Sequence, residues 1–338
     1  MGRSGPRPGL SNPPMLYPCT FQPRVKERIW GGRTLETRYG KALPPGVPIG
    51  ESWEISDRAG DESVIANGPL EGRTLRWLME RHGADVLGDA TPAAGGRFPL
   101  LCKILDARER LSLQVHPPAH RAAALGGEPK TEMWYVADAA PGAEIFVGLK
   151  AHVTRELFEA RARGGDVAAC FHRQPVSTGD AMFLPSGRVH AIGAGLLIFE
   201  IQQSSDTVYR VFDWNRPGLD GRPRDLHLEE SLECIDFTDV EPGLVNAPVI
   251  ERGGLGVRRL VDDPLFGVDL VRARAAATVA LDPPALRVAA VVDGRATATG
   301  RGVRLDLVPG QFCLVPASVA DAALALSAGS SVLVVDAR

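Results

Sequence analysis

Four side chains in this sequence have the chemistry to hold a divalent metal ion: Gln114, His116, Glu132 and His190. Two imidazoles, a carboxylate and an amide oxygen make a nitrogen and oxygen donor set suited to zinc. In the run Leu111-Ser-Leu-Gln-Val-His116, strand alternation puts Ser112, Gln114 and His116 on one face and Leu111, Leu113 and Val115 on the other. In Lys130-Thr-Glu-Met-Trp-Tyr-Val136 the same rule groups Lys130, Glu132 and Trp134. His190 follows the turn Pro185-Ser-Gly187 and precedes the apolar run 195–201. That places it at the mouth of an antiparallel strand pair, where a rigid sheet can hold a ligand. Taken singly, Glu132 reads as a surface charge and Gln114 as a polar residue lining a barrel. Their convergence with two histidines is what points to a metal, and a mixed, open site leaves room for substrate or water.

The elements that must position these groups are mostly short strands. The 338 residues include 37 glycines and 27 prolines, more of these two turn formers than average, which favours many turns. Residues 1–18 are Pro/Gly/Ser-rich and are expected to be a disordered extension. GESWEIS, residues 50–56, alternates as a half-buried strand does. Thr74 is expected to cap a helix through Arg81 closed by Gly83, Thr154 one ending at Gly164-Gly165, and Asp225 a short one over LHLEESLECI. From residue 246 onward short β-type runs follow one another at turn spacing. There Gly310 and Pro316 repeat the interval of Gly179 and Pro185, but none of the seven histidines lies beyond His227. The expected organisation is a catalytic β domain with helical insertions over 19–245 and a second, metal-free β domain over 246–338. A generic small β-sandwich is the alternative for the latter.

Composition narrows the function classes. Lys and Arg total 38 against 41 Asp and Glu, net −3, with no long run of one sign. This argues against nucleic-acid or anionic-membrane partners. The five cysteines are widely spread without a C-x-x-C, so neither a disulfide framework nor a cysteine zinc site is expected. No apolar run is long enough to span a bilayer and the first residues lack the apolar stretch of a secretory signal. The expected setting is cytoplasmic.

The interval Gly179, Pro185, Gly187, His190 resembles the second motif of the cupin barrels, whose histidine binds a metal. LSLQVHP, KTEMWYV, PSGRVHAIG and SDTVYRVFDWNR, with GESWEIS and ERIWGG, resemble the type I mannose-6-phosphate isomerases, in particular their shorter bacterial branch. The likeness runs over about residues 17 to 236 with the motifs in family order; beyond that it is one of general form. It implies a mainly β fold, a jelly-roll cupin barrel plus a cupin-like second domain. It implies one zinc ion per chain on Gln114, His116, Glu132 and His190, and interconversion of D-mannose 6-phosphate and D-fructose 6-phosphate. The family's active-site lysine falls on Lys130 and its arginine on Arg210.

Aldose–ketose isomerisation moves a proton between C1 and C2 through an enediol, so a cation near the developing charge is useful. Arg210 suits that role better than the role of base; the competing reading is an ion pair with Asp206 or Asp213. Lys103, Ser112, Arg188 and Trp53 are the further candidates for substrate contact. The proton carrier is open between Glu132, a metal-bound water, Asp213 and Lys130. His82, His120, His152, His172 and His227 lack ligand spacing and are expected on the surface or on helices. Rival functions are an Fe(II) cupin dioxygenase, a non-catalytic sugar-binding cupin, and an isomerase of another sugar. A monomer and a homodimer are both compatible with the sequence.

Overall fold

Two strands that are buried on both faces decide the architecture. In Leu100–Ala107 and Leu196–Gln203 nearly every residue is buried, so each strand must lie between two cores. The computed structural model describes residues 15–281 and 285–338 and shows how this is met. Both strands sit in the middle of a six-stranded antiparallel sheet of order Ala181–Leu184, Glu132–Ala139, Leu196–Gln203, Leu100–Ala107, Arg24–Gly32, Ile49–Ile55. A five-stranded sheet of order Tyr209–Phe212, Leu113–Val115, His190–Ile192, Glu144–Leu149, Phe171–Pro175 faces it and completes the first barrel.

Residues Leu105, Ile198, Trp134, Val136 and Met182 of the first sheet meet Ile145, Val147 and Ile192 of the second in the barrel core. On the opposite face of the six-stranded sheet, Cys102, Ile104, Phe199, Ile201 and Tyr135 pack with Leu270, Val288, Phe312, Leu314 and Leu333. Those partners belong to a second six-stranded sheet, which with a four-stranded sheet encloses its own core of Ala289, Val291, Cys313, Leu324 and Leu326. The strands of this second unit begin with Val249–Arg252. The fold is mainly β and of the cupin type.

Helices are few and peripheral. Thr154 caps Arg155–Gly164 by accepting from Leu157 N, and Gly165 ends it in the left-handed conformation. Its Phe158 packs with Leu232 of the helix Leu228–Cys234 on the outer face of the five-stranded sheet.

Several expectations need correction. The helix capped by Thr74 runs over Leu75–Leu87, past Gly83, with a kink at His82; burial of Leu75, Leu78 and Val86 in the core outweighs the breaker signal. The cap position of Leu228–Cys234 is His227, not Asp225. The Ile49–Ile55 strand is buried on both faces rather than half-buried. Its charged residues survive burial because they are paired, Glu54 with Lys41 at 2.7 Å and Glu51 with Arg28 at 2.6 Å. Residues 1–14 of the expected extension lie outside the described residues. Leu16, within the stretch assigned to it by composition, is buried in the core together with Tyr17, near which order was expected to begin.

Candidate metal centre and active-site pocket

Sheet register brings the four predicted ligands together. Gln114 is directly opposite His190 on one side and Arg210 on the other, so all three side chains share the inner face of the five-stranded sheet. His116 follows one strand step beyond Gln114. Glu132 opens the Glu132–Ala139 strand of the facing sheet and pairs with Leu184 and Gln202. His116 Nε2 lies 3.5 Å from Glu132 Oε2, His190 Nε2 lies 3.4 Å from Glu132 Oε1, and Gln114 Nε2 is 3.3 Å from His190 Nε2. A half-turn of the Gln114 amide presents its oxygen to the same point.

The buried set fits a divalent ion on three counts. Each imidazole is anchored through Nδ1 by a backbone carbonyl, His116 by Thr207 O and His190 by Arg188 O, both at 2.9 Å. That leaves each Nε2 lone pair pointing inward, the usual outer arrangement of metal-binding histidines. Both Glu132 oxygens are buried with no donor aligned on them, although Lys130 Nζ lies 2.7 Å from Oε2. Finally, protonation suits a metal. Burial and the Lys130 charge push His116 down to about 3, and burial lowers His190, so both rings are neutral. Burial raises Glu132, but the Lys130 charge outweighs it and holds the carboxyl well below its usual range.

A cavity of about 610 Å³ opens beside this centre. Gln114, Ser112, Lys130, Lys103 and Arg210 all line it. Lys103 continues a row across the six-stranded sheet, Trp53, Lys103, Glu200, Trp134. Its ammonium is 3.4 Å from Glu200, 3.7 Å from Glu51 and 3.9 Å from Asp206. Burial lowers its pKa, but these carboxylates raise it further. The two glutamates on Lys103 titrate in opposite directions. Glu51 is held at about 2 because Lys103 and Arg28 overcome the burial that raises it. Glu200 is raised by burial and by the nearby Glu132 charge. Arg28 contacts Glu51 alone of the two, which accounts for the sign of the difference.

Arg210 has no carboxylate within ion-pair distance among the described residues. Its Nη1 donates to Asp225 O at 2.8 Å and its Nε is buried without a partner. Burial and the neighbouring Arg224 guanidinium lower its pKa. Both oxygens of Asp213 are instead taken by Arg216 and Arg224, and Asp206 stands near Lys103. The ion pair that competed with a functional role for Arg210 is therefore not formed.

Two predicted substrate contacts lie elsewhere. Arg188 is outside the cavity lining and forms a two-point ion pair with Asp239. Trp53 stands behind the lining, its indole donating to Glu51 and its ring 5.0 Å from the Lys103 ammonium. Glu51, Glu200 and Arg224 line the pocket unforeseen. A lone carboxylate inside the apolar run LLIFEIQQ was the available signal for Glu200, since a charge in such a strand is retained only with a partner. His227, expected to be a plain surface or helix residue, accepts the Arg210 backbone N–H at 3.2 Å.

A paired-sheet barrel carrying two neutral imidazoles and a buried carboxylate beside a polar pocket defines a cupin-type site able to hold a metal ion. The family model for the phosphomannose isomerase type I catalytic domain matches residues 19–154. A putative mannose-6-phosphate isomerase of Bacillus subtilis is 34% identical over 306 residues, 90% of this chain and 94% of the relative. The mannose-6-phosphate isomerase of Streptococcus mutans is 40% identical over 255 residues, 75% of this chain and 78% of the relative. Among solved structures, the mannose 6-phosphate isomerase of Bacillus subtilis superimposes with a TM-score of 0.85 at 32% identity, covering 96% of this chain and 100% of that one. The chain belongs to the type I phosphomannose isomerase family, a family of metal-dependent enzymes.

Proposed function

We propose that this protein is a zinc-dependent isomerase interconverting D-mannose 6-phosphate and D-fructose 6-phosphate, acting in the cytoplasm. The observation that carries the reading is the buried His116, Glu132, His190 set beside a pocket lined by Gln114, Lys130 and Arg210. On this reading residues 19–245 are the catalytic unit and 246–338 cover the back of its six-stranded sheet. No helix among the described residues is long and apolar enough to cross a membrane.

Gln114, His116, Glu132 and His190 would hold the ion, which when bound supplies Lewis acidity toward the sugar oxygens. The chain's own groups do the rest. Lys130, 2.7 Å from Glu132 and 3.1 Å from His116 Nε2, lines the pocket beside these groups, where its Nζ can donate to a sugar oxygen. Arg210, free of a carboxylate partner, offers its guanidinium to the negative charge that develops on the enediol oxygens as the proton moves between C1 and C2. Ser112, two residues before Gln114 on the same face, offers a hydroxyl to the substrate. Lys103, shared by Glu51, Glu200 and Asp206, orders the opposite wall. Turnover of mannose 6-phosphate in a coupled assay, abolished by a chelator and restored by zinc, tests the proposal. A chelator-insensitive rate, or no turnover by the metal-loaded protein, refutes it.

A further inference from the structure

We propose that Arg188 and Asp239 form a brace that sets the His190 ring for metal binding, which makes the segment 236–242 part of the metal centre. The proposal rests on the reading of His190 as a metal ligand. The aim of His190 Nε2 is fixed by where its Nδ1–H finds an acceptor, and that acceptor is the carbonyl of Arg188 at 2.9 Å. The position of this carbonyl is in turn governed by what holds residue 188. Its N–H closes a turn onto Pro185 O at 3.1 Å. Its side chain folds back to Asp239 through Nε to Oδ2 at 2.8 Å and Nη2 to Oδ1 at 2.7 Å, while Nη1 donates to Phe183 O at 2.7 Å. All three donor nitrogens of one planar group are thus in use, and both side chains are only 15% exposed. A two-point fork of this kind specifies direction as well as attraction, unlike an exposed ion pair, which adds little.

Asp239 is itself held firmly. Asp239 O accepts from Leu149 N at 3.0 Å, Glu241 N donates to Leu149 O at 2.9 Å, and Asp236 N donates to Gly187 O at 2.9 Å. The segment lies so close to the barrel that a Cβ on Gly148 would stand 2.3 Å from Pro242 Cδ. The same turn also touches the other imidazole's residue, because Gly187 N donates to His116 O at 2.9 Å. The turn 185–190 therefore carries His190 and is bonded to the backbone of His116, and the Arg188–Asp239 pair ties that turn to the strap outside the barrel. Arg188 lines no part of the cavity, so its effect on the reaction would pass through His190; it is a positioning residue.

The test compares wild type with Arg188→Met, Arg188→Lys, Asp239→Asn and the double variant Arg188→Met/Asp239→Asn. Three quantities are read: zinc affinity by chelator competition, the visible absorption spectrum of the cobalt-loaded protein, and melting of the metal-free protein. Removing the outer partner of a metal-binding histidine weakens binding by about 10–100-fold. Arg188→Met and Asp239→Asn act one link further out, so about a tenfold loss of zinc affinity is expected from each, with a changed cobalt spectrum. The double variant should be no worse than the weaker single one, and Arg188→Lys should recover part of the loss. A purely structural ion pair predicts the opposite pattern: lower melting temperatures, but zinc affinity within about twofold of wild type and an unaltered cobalt spectrum. That pattern overturns the proposal. Should Arg188→Met fail to fold, Asp239→Asn, which keeps the side-chain shape, decides alone. Failure of wild type to bind any divalent ion would instead refute the metal centre, an outcome distinct from this one.

Discussion

Replacing Arg210 by alanine separates a catalytic arginine from a structural one, and the structure sets the expected sizes. If its guanidinium meets charge that develops only in the transition state, its loss acts on kcat more than on KM. Removing one such donor typically costs about 10²–10³ in kcat, or roughly 2.7–4 kcal/mol. The cost to stability should be small by comparison. Among the described residues the guanidinium makes one hydrogen bond, to Asp225 O, and its Nε is buried without a partner. A hydrogen bond to a charged group contributes about 1.5–3 kcal/mol. Against that stand the burial of the charge and the nearness of Arg224, both of which disfavour the charged form. A net loss below ~1 kcal/mol corresponds to a melting shift of no more than about 2–4 °C. Steady-state kinetics, zinc analysis and melting of Arg210→Ala are the assay, with Arg210→Lys as a partial rescue, since lysine keeps the charge without the fork. Zinc content should not change. Near-normal kcat together with a large drop in melting temperature would refute the reasoning.

His116→Ala and His190→Ala should each lose bound metal and turnover together while far-ultraviolet circular dichroism stays that of the wild type, because the barrel core of Trp134, Ile198 and Val147 does not depend on them. Full zinc in either variant would remove that residue from the ligand set. Elemental analysis should find one tightly bound zinc per chain, since the single cluster of suitable donors among the described residues is His116, Glu132 and His190; two ions, one lost on deleting 246–338, would contradict this. Glu51 is ionised in the folded chain down to about pH 2, below its ordinary 4.5. Its contribution to stability is therefore present above about pH 4.5 and fades as pH falls toward 2. The stability gap between wild type and Glu51→Gln, followed by urea denaturation, should narrow as pH is lowered from about 6 to about 3, and a gap independent of pH would count against the buried pairing with Lys103 and Arg28.

The amino-acid sequence by itself determined which residues the candidate metal centre gathers. Gln114 and His116 are two apart on one strand, so period-2 geometry alone assigns them a common face, and Lys130, Glu132 and Trp134 follow the same rule. The turn before His190 is equally local, written in Gly179, Pro185 and Gly187, as is the Thr154 cap. Local rules of this kind act over a few residues and can be read without knowing what packs against them. What only the tertiary structure decided is which strand faces were buried twice and which charges met. GESWEIS alternates like a half-exposed strand, yet its far face is covered and Lys41 reaches Glu54 there. Arg188 looked like a pocket cation until Asp239, 51 residues on, took two of its nitrogens. Arg210 had two acidic neighbours in sequence, but Asp213 turned to Arg216 and Arg224 and left it without a carboxylate. Ion pairing falls off over a few ångströms, so partner choice depends on positions that only the packed sheets define. Strand periodicity says which way a side chain points, and the assembled barrels say what it finds there.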